Sequence, residues 1–273
     1  MAMPEHLVLV RHGQSEANIV QKRLKQDPTA KPPDGFFDRH DSRMRLSTTG
    51  RDQAHAAGDW LRRHGLATFD RYYVSPHVRT AETAANLRLD GRWSLDVRWR
   101  ERDWGEYGVL NEAERGERFE LSKKLKEQNK WYWCPPGGES LATGVHGRFR
   151  DILDTLHRET AGQRVVAVTH GEMIDVARFV LERLTPEEWL AQDADPTYRV
   201  SNCQILHYTR RDPEGGGIED RIRWVRSVCP WDETASWHGG SWMEIHRRLY
   251  SDTELTKMVD RHPLLLEPSA TEL

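Results

Sequence analysis

Two short, unbroken apolar runs, LVLV at 7–10 and VVAV at 165–168, are each followed after one residue by a His-Gly pair, His12-Gly13 and His170-Gly171. Continuous apolar runs of this length mark strands covered on both faces, which is the condition of a parallel strand inside an α/β layer structure. Between them lie helical patterns at 51–64, 79–87 and 141–159, the first with candidate caps at 47–49 and Gly65 as its stop. FDRYYVSP (69–76) reads as a further strand and 95–99 as another. Strands alternating with helices of about ten or more residues predict a three-layer α/β/α fold whose central sheet is mostly parallel and flanked by helices on both faces.

Three stretches fall outside that alternation. Residues 19–45, with DPTAKPPDGFF inside them, read as an inserted loop, and 106–134 as a charged helical insertion that runs into WYWCPPGGES. Beyond Asn202, CQILHY and IEDRIRWVRSV read as two strands joined through DPEGGG. The expected organisation is one domain over 1–230 and a tail over 231–273 that packs onto it through tryptophans such as Trp231, Trp237 and Trp242. A binding platform is the other reading of those rings.

Composition narrows the function classes. Eleven Trp, seven Tyr and six Phe argue for a folded chain despite 30% charged residues. A formal charge of −3 supplies no global positive field, so neither nucleic acid nor an anionic membrane is an expected partner. The N-terminal MAMPEHLVLVRHG has the form of neither a signal peptide nor a membrane span, and Cys134, Cys203 and Cys229 are too scattered for a disulfide framework or zinc site. A cytoplasmic protein with reduced thiols is expected.

In parallel α/β sheets, ligands gather outside the carboxyl ends of the strands. Arg11-His12-Gly13, Ser75-Pro76 with Arg79, Glu101, and His170-Gly171 all sit at such ends in this reading, so two histidines, two arginines and a glutamate should converge. That set suits a phosphoryl group. Its transfer depends on positioning and on stabilising charge spread over its oxygens, arginine forks are natural clamps for it, and a neutral imidazole can attack phosphorus in line. Glu101 would give a proton to the leaving oxygen and later take one from water. Left open at this point are an ion pair of Glu101 with Arg100 or Arg102, with Asp103 as the acid instead, and a solvated Arg79. His77 and the remaining histidines share no spacing and read as surface or core-edge residues.

The segments RHGQSEAN (11–18), LSTTGRDQA (46–54), SPHVRTAET (75–83), ERDWGE (101–106), PPGGES (135–140) and VTHGE (168–172) resemble, in order, the signature segments of the histidine phosphatase superfamily. This is the family of the cofactor-dependent phosphoglycerate mutases and the fructose-2,6-bisphosphatases, and the resemblance spans roughly residues 7–208. It implies His12 as the phosphorylated nucleophile, Arg11 and Arg79 as phosphate clamps, Glu101 as the acid/base and His170 as the second pocket histidine. Asn18 matches a further phosphate contact, and the backbone N–H groups of Gly13 and Gly171 are candidate donors. Neither a metal nor a cofactor is implied.

The resemblance leaves the acceptor of the phosphoryl group to be chosen. PPGGES resembles the phosphatase side of the family, and IVQKRLKQDP after Asn18 departs from the mutase pattern. Hydrolysis of a small phosphorylated metabolite is therefore expected. A phosphoglycerate mutase-type transfer is the alternative, and a catalytically weak phosphoester-binding protein is the third reading. The segment 19–45 carries seven basic against four acidic residues, either as a solvated loop or as a cap that reads a second anionic group on the substrate. Self-association into a homo-oligomer is compatible with all three readings.

Overall fold

The computed structural model describes residues 2–27 and 29–265. In chain order the main elements are β1 (His6–Arg11), α1 (Glu16–Gln26), α2 (Thr48–Arg63), β2 (Arg71–Val74), α3 (Val78–Leu87), β3 (Trp93–Leu95), α4 (Glu112–Arg118), α5 (Glu120–Gln128), α6 (His146–Glu159), β4 (Arg164–Thr169), α7 (Gly171–Leu181), α8 (Pro186–Ala194), β5 (Ile205–Thr209), β6 (Trp224–Val228), β7 (Met243–Glu244) and α9 (Asp252–Val259). They build one sheet of order β3-β2-β4-β1-β5-β6-β7, parallel from β3 through β1 and antiparallel beyond. The three-layer reading holds. Its physical basis shows in β1, where Leu7 and Leu9 enter one apolar cluster with Phe149 of α6 and Met173 of α7, while Val8 and Val10 enter another with Ala57 of α2 and Leu87 of α3. Alternate side chains of one buried strand thus feed two cores.

The helix over 51–64 forms as α2, capped by Ser47, whose side chain accepts from the Gly50 amide, and stopped at Gly65, which takes φ +73°. Two expectations need correction. The segment 19–45 is helical in its first third, because Ser15 and Asn18 close a capping box that starts α1 at Glu16. The strand expected at 95–99 is instead β3 at Trp93–Leu95, followed by a tight turn over Val97–Trp99. Asp96 breaks the strand there by accepting from the Arg98 amide at 2.9 Å.

The sheet also continues past residue 230, since Met243 pairs with Val225. Trp237 is buried under the Arg178 guanidinium at 4.2 Å, and Trp242 packs edge-on against His207 at 4.8 Å. Among the described residues, no helix is long and apolar enough to cross a membrane.

Candidate active site

The site lies outside the carboxyl ends of β1, β2 and β4, where the chain leaves each strand and enters a loop or helix. His12 follows β1 and is buried, with its Nδ1 2.8 Å from the Gly13 carbonyl. A carbonyl only accepts, so Nδ1 carries the proton and Nε2 presents its lone pair. Burial first, and then the charges of Arg79 and Arg11, hold the His12 pKa well below its ordinary value, so the ring is a neutral nucleophile. The Arg79 Nε donates to Nε2 at 3.2 Å.

Gly13 has a packing reason rather than the electrostatic one expected of it. A Cβ there would lie 2.3 Å from the Gly50 carbonyl oxygen at the start of α2, and the Gly13 amide already donates to the Thr83 hydroxyl at 3.0 Å. It is therefore not a free phosphate donor. Gly171 opens α7, so its amide belongs to the unpaired first turn of a helix, and a Cβ on it would stand 3.5 Å from Arg11 Nε. That Nε is buried without a protein partner, while the other end of the Arg11 guanidinium is anchored on the Val200 carbonyl.

Arg79 is not solvated. It is buried near the start of α3 and joins four groups: His12, His170 Nδ1 at 3.3 Å, and both the carbonyl (2.7 Å) and carboxylate (2.8 Å) of Asp41. Asp41 comes from the segment between α1 and α2, so that segment does reach the pocket, but with a carboxylate. Its arginines are engaged elsewhere in part, with Arg39 paired to Glu16 and Arg45 to Glu82.

His170 follows β4 and is fully buried, its ring 5.2 Å from that of His12. Because an arginine N–H must donate to its Nδ1, the proton sits on Nε2, which reaches the Ser75 hydroxyl at 2.8 Å. The Ser75 hydroxyl in turn meets His77 Nδ1 at 3.1 Å. His77, read from the sequence as a surface or core-edge residue, is thus a buried third imidazole of the site, with ring centroids 4.7 Å from His170. Burial, followed by the charge of Arg79, lowers its pKa to about 4. The available signal was its place in SPHVRT, two residues before Arg79, where it becomes the N-cap position of α3.

Glu101 stands on the segment after β3. That segment is held by the Thr169 hydroxyl on the Trp99 carbonyl at 2.7 Å and by Arg148 of α6 on the Arg98 carbonyl at 2.7 Å. The Glu101 carboxylate accepts from the Arg102 amide at 3.0 Å and lies 3.8 Å from His170 Nδ1. It pairs with neither neighbouring guanidinium, since Arg100 bonds to Glu139 and Arg102 to Glu172. Asp103 is exposed and caps the Gly105 amide. Burial first, and then the Glu172 carboxylate, push the Glu101 pKa up to about 8, so near neutrality it carries a proton.

Asn18 accepts from the Ser15 amide at 3.1 Å and from Asn202 at 3.2 Å. Its backbone amide donates to the Ser15 hydroxyl at 3.3 Å, while its side-chain Nδ2 makes no hydrogen bond among the described residues. Asn202, which the sequence did not single out, also donates to the His12 carbonyl at 3.0 Å and is held by the Trp231 indole at 2.6 Å. No motif announces it, because its partners are brought near only by the turn between the short 3-10 helical turn over Pro196–Tyr198 and β5. Among the described residues, no group of three or more His, Cys, Asp or Glu is placed to hold a metal ion.

The sequence model of a family described as histidine phosphatase superfamily (branch 1) matches residues 7–214. A 2,3-bisphosphoglycerate-dependent phosphoglycerate mutase of Afipia carboxidovorans is 33% identical over 222 residues, covering 76% of this chain and 92% of that protein. One of Sinorhizobium fredii is 33% identical over 192 residues, covering 67% and 82%. Among solved structures, a mycobacterial glucosyl-3-phosphoglycerate phosphatase superposes with a TM-score of 0.56 at 25% identity, over 75% of this chain and 92% of that one. A putative alpha-ribazole-5'-P phosphatase of Escherichia coli superposes with a TM-score of 0.59 over 80% and 96%, and at 17% identity it shows the fold alone.

Proposed function

The chain belongs to the histidine phosphatase superfamily, and from that premise we propose that it hydrolyses a small phosphomonoester through a phosphohistidine on His12. What carries the proposal is the pairing in one pocket of a His12 whose Nδ1 is fixed on the Gly13 carbonyl, leaving Nε2 to face only the Arg79 N–H, with a Glu101 carboxyl whose pKa is raised to about 8. In the first step the Nε2 lone pair forms the bond to phosphorus as the bond to the leaving oxygen breaks, and Glu101 gives that oxygen its proton. In the second, Glu101 takes a proton from water while the water oxygen bonds to phosphorus and the P–N bond breaks, returning His12 and releasing phosphate. Arg79, Arg11 and the Gly171 amide are the groups we assign to the phosphoryl oxygens, with the Asn18 amide as a further donor. Docking replaces the bonds from Arg79 to His12 and Asp41. The dianion then favours the charged form of His170.

Water as the acceptor is supported by PPGGES, which lies against the Glu101 segment. Glu139 donates its amide to the Asp103 carbonyl at 2.9 Å, and Gly105 approaches so closely that a Cβ would lie 2.2 Å from the Pro136 carbonyl oxygen. The second reading, transfer back to a phosphoglycerate, is favoured by the names of the curated relatives. Phosphorus NMR separates the two. With 3-phosphoglycerate and a trace of 2,3-bisphosphoglycerate, a mutase equilibrates the 2- and 3-isomers. A hydrolase releases phosphate from an aryl phosphate and leaves the isomers unmixed. No turnover of either would mean a binding protein and would overturn the proposal.

A further inference from the structure

Away from the phosphate pocket, arginines from four parts of the chain gather beside the last strands of the sheet. Arg221 and Arg223, just before β6, and Arg247, just after β7, line an open groove of about 470 Å³ together with Glu244, Ile245 and His246. Arg183, past the end of α7, and Arg150 of α6 do not line the groove but stand near enough for their charges to be felt there. Partial burial, followed by the nearby charges of Arg247, Arg221 and Arg150, holds the Arg183 guanidinium below its ordinary pKa.

Opposite charge is scarce here. Glu219 and Glu244 are both taken by Arg223, at 3.5 and 2.7 Å. Among the described residues, Arg150, Arg183, Arg221 and Arg247 make no ion pair and no side-chain hydrogen bond. In a chain whose acidic residues outnumber its Lys and Arg, 43 to 40, an ordinary solvated face mixes the two signs. The negative end of α7 accounts for one cation but not for four from separate elements. Nor does it explain why Arg183 takes a left-handed φ of +63°, a position past a helix end where glycine costs least.

We propose that this groove is a second anion site that takes a small molecule carrying a diphosphate or triphosphate group. Guanidinium forks bind phosphate oxygens bidentately, and a chain of phosphates can span the arginines set along the groove, Arg221, Arg223 and Arg247, more fully than a single phosphate. The groove volume lies in the small-ligand range. The site is separate from the catalytic pocket. Helix α7 starts at that pocket with Gly171 and needs its 11 residues, roughly 16 Å at 1.5 Å each, to reach the Arg183 end. The inference does not depend on the proposed hydrolysis.

The test is titration calorimetry with inorganic tripolyphosphate on the full chain, on Arg79→Ala, which disables the pocket, and on Arg221→Gln/Arg247→Gln. The expected result is that Arg79→Ala retains one tripolyphosphate site, weakened by added salt. The groove variant loses that site, with affinity down on the order of tenfold or more, while its aryl phosphate turnover is unchanged. Arg183→Gly supplies an independent readout: it should raise the melting temperature by relieving the left-handed strain and still weaken tripolyphosphate binding. ATP binding equal to that of tripolyphosphate assigns the site to the phosphate chain alone, and tighter binding adds a nucleoside to it. The proposal is overturned if Arg79→Ala abolishes all tripolyphosphate binding, if the groove variant binds it as the parent does, or if the groove captures phosphatidylserine vesicles and no tripolyphosphate.

Discussion

Replacing Glu101 with Gln should make the protein more stable and less active, and the two effects have one cause. The buried carboxyl has its pKa raised from 4.5 to about 8, so the folded chain holds a proton that the unfolded chain releases above pH 4.5. A group raised in this way stabilises the fold relative to its ionised form only while it stays protonated. Stability therefore falls as pH rises from 4.5 toward 8, by about 1.4 kcal/mol per unit. At pH 7 the accumulated loss is about 3 kcal/mol, and Gln, which is never charged, is free of it. Urea unfolding at pH 4.5 and 7 should thus show no gain for Glu101→Gln at the lower pH and a gain of up to about 3 kcal/mol at the higher.

Single-turnover kinetics reads the second effect. Transfer from an alkyl phosphate to His12 should slow on the order of 10²–10⁴-fold in Glu101→Gln, and in the parent it should fall as pH rises through about 8. Transfer from nitrophenyl phosphate, whose leaving group is stable without a proton, should slow far less. Equal slowing for both leaving groups would refute Glu101 as the acid. A stability difference that does not change with pH would refute the buried, protonated carboxyl itself.

A labelled substrate quenched in mid-turnover should leave label that is lost in acid and kept in alkali, and His12→Ala should leave none; label on Ser or Cys refutes the mechanism. Asp41→Ala frees Arg79 from a partly exposed ion pair whose carboxylate is 52% exposed, worth at most about 1 kcal/mol. Inorganic phosphate should therefore inhibit the variant up to about fivefold more tightly, and weaker inhibition would mean that Asp41 instead orients the clamp. Dialysis against EDTA should leave turnover intact, and loss restored by a divalent ion would point to a metal the donor set does not reveal. His77→Ala should alter the pH dependence through the Ser75 link to His170 while sparing the fold, as checked by circular dichroism; an unchanged profile would assign His77 to packing alone.

The central strands β1, β2 and β4 and most of the candidate site residues were legible in the chain because both are local signals. LVLV and VVAV announce parallel strands, and the residues one or two positions past their ends, His12 and His170, reach the pocket because strand ends in such sheets point there. Ser47 and Gly65 bracket α2 by the same kind of short-range chemistry. The capping box at Ser15 and Asn18 was equally local, and the loop-like DPTAKPPDGFF that follows drew the whole segment into one reading. Packing decided the rest. Gly13 is glycine because of Gly50, 37 residues away, Asp41 reaches Arg79 across a turn whose path no periodicity encodes, and His77 becomes part of the site only because β2 lies beside β4. The protonation states that make the chemistry feasible are likewise tertiary. Residue identity supplies an imidazole and a carboxyl with ordinary pKa values, and it is exclusion from water among neighbouring charges that leaves one neutral and the other protonated.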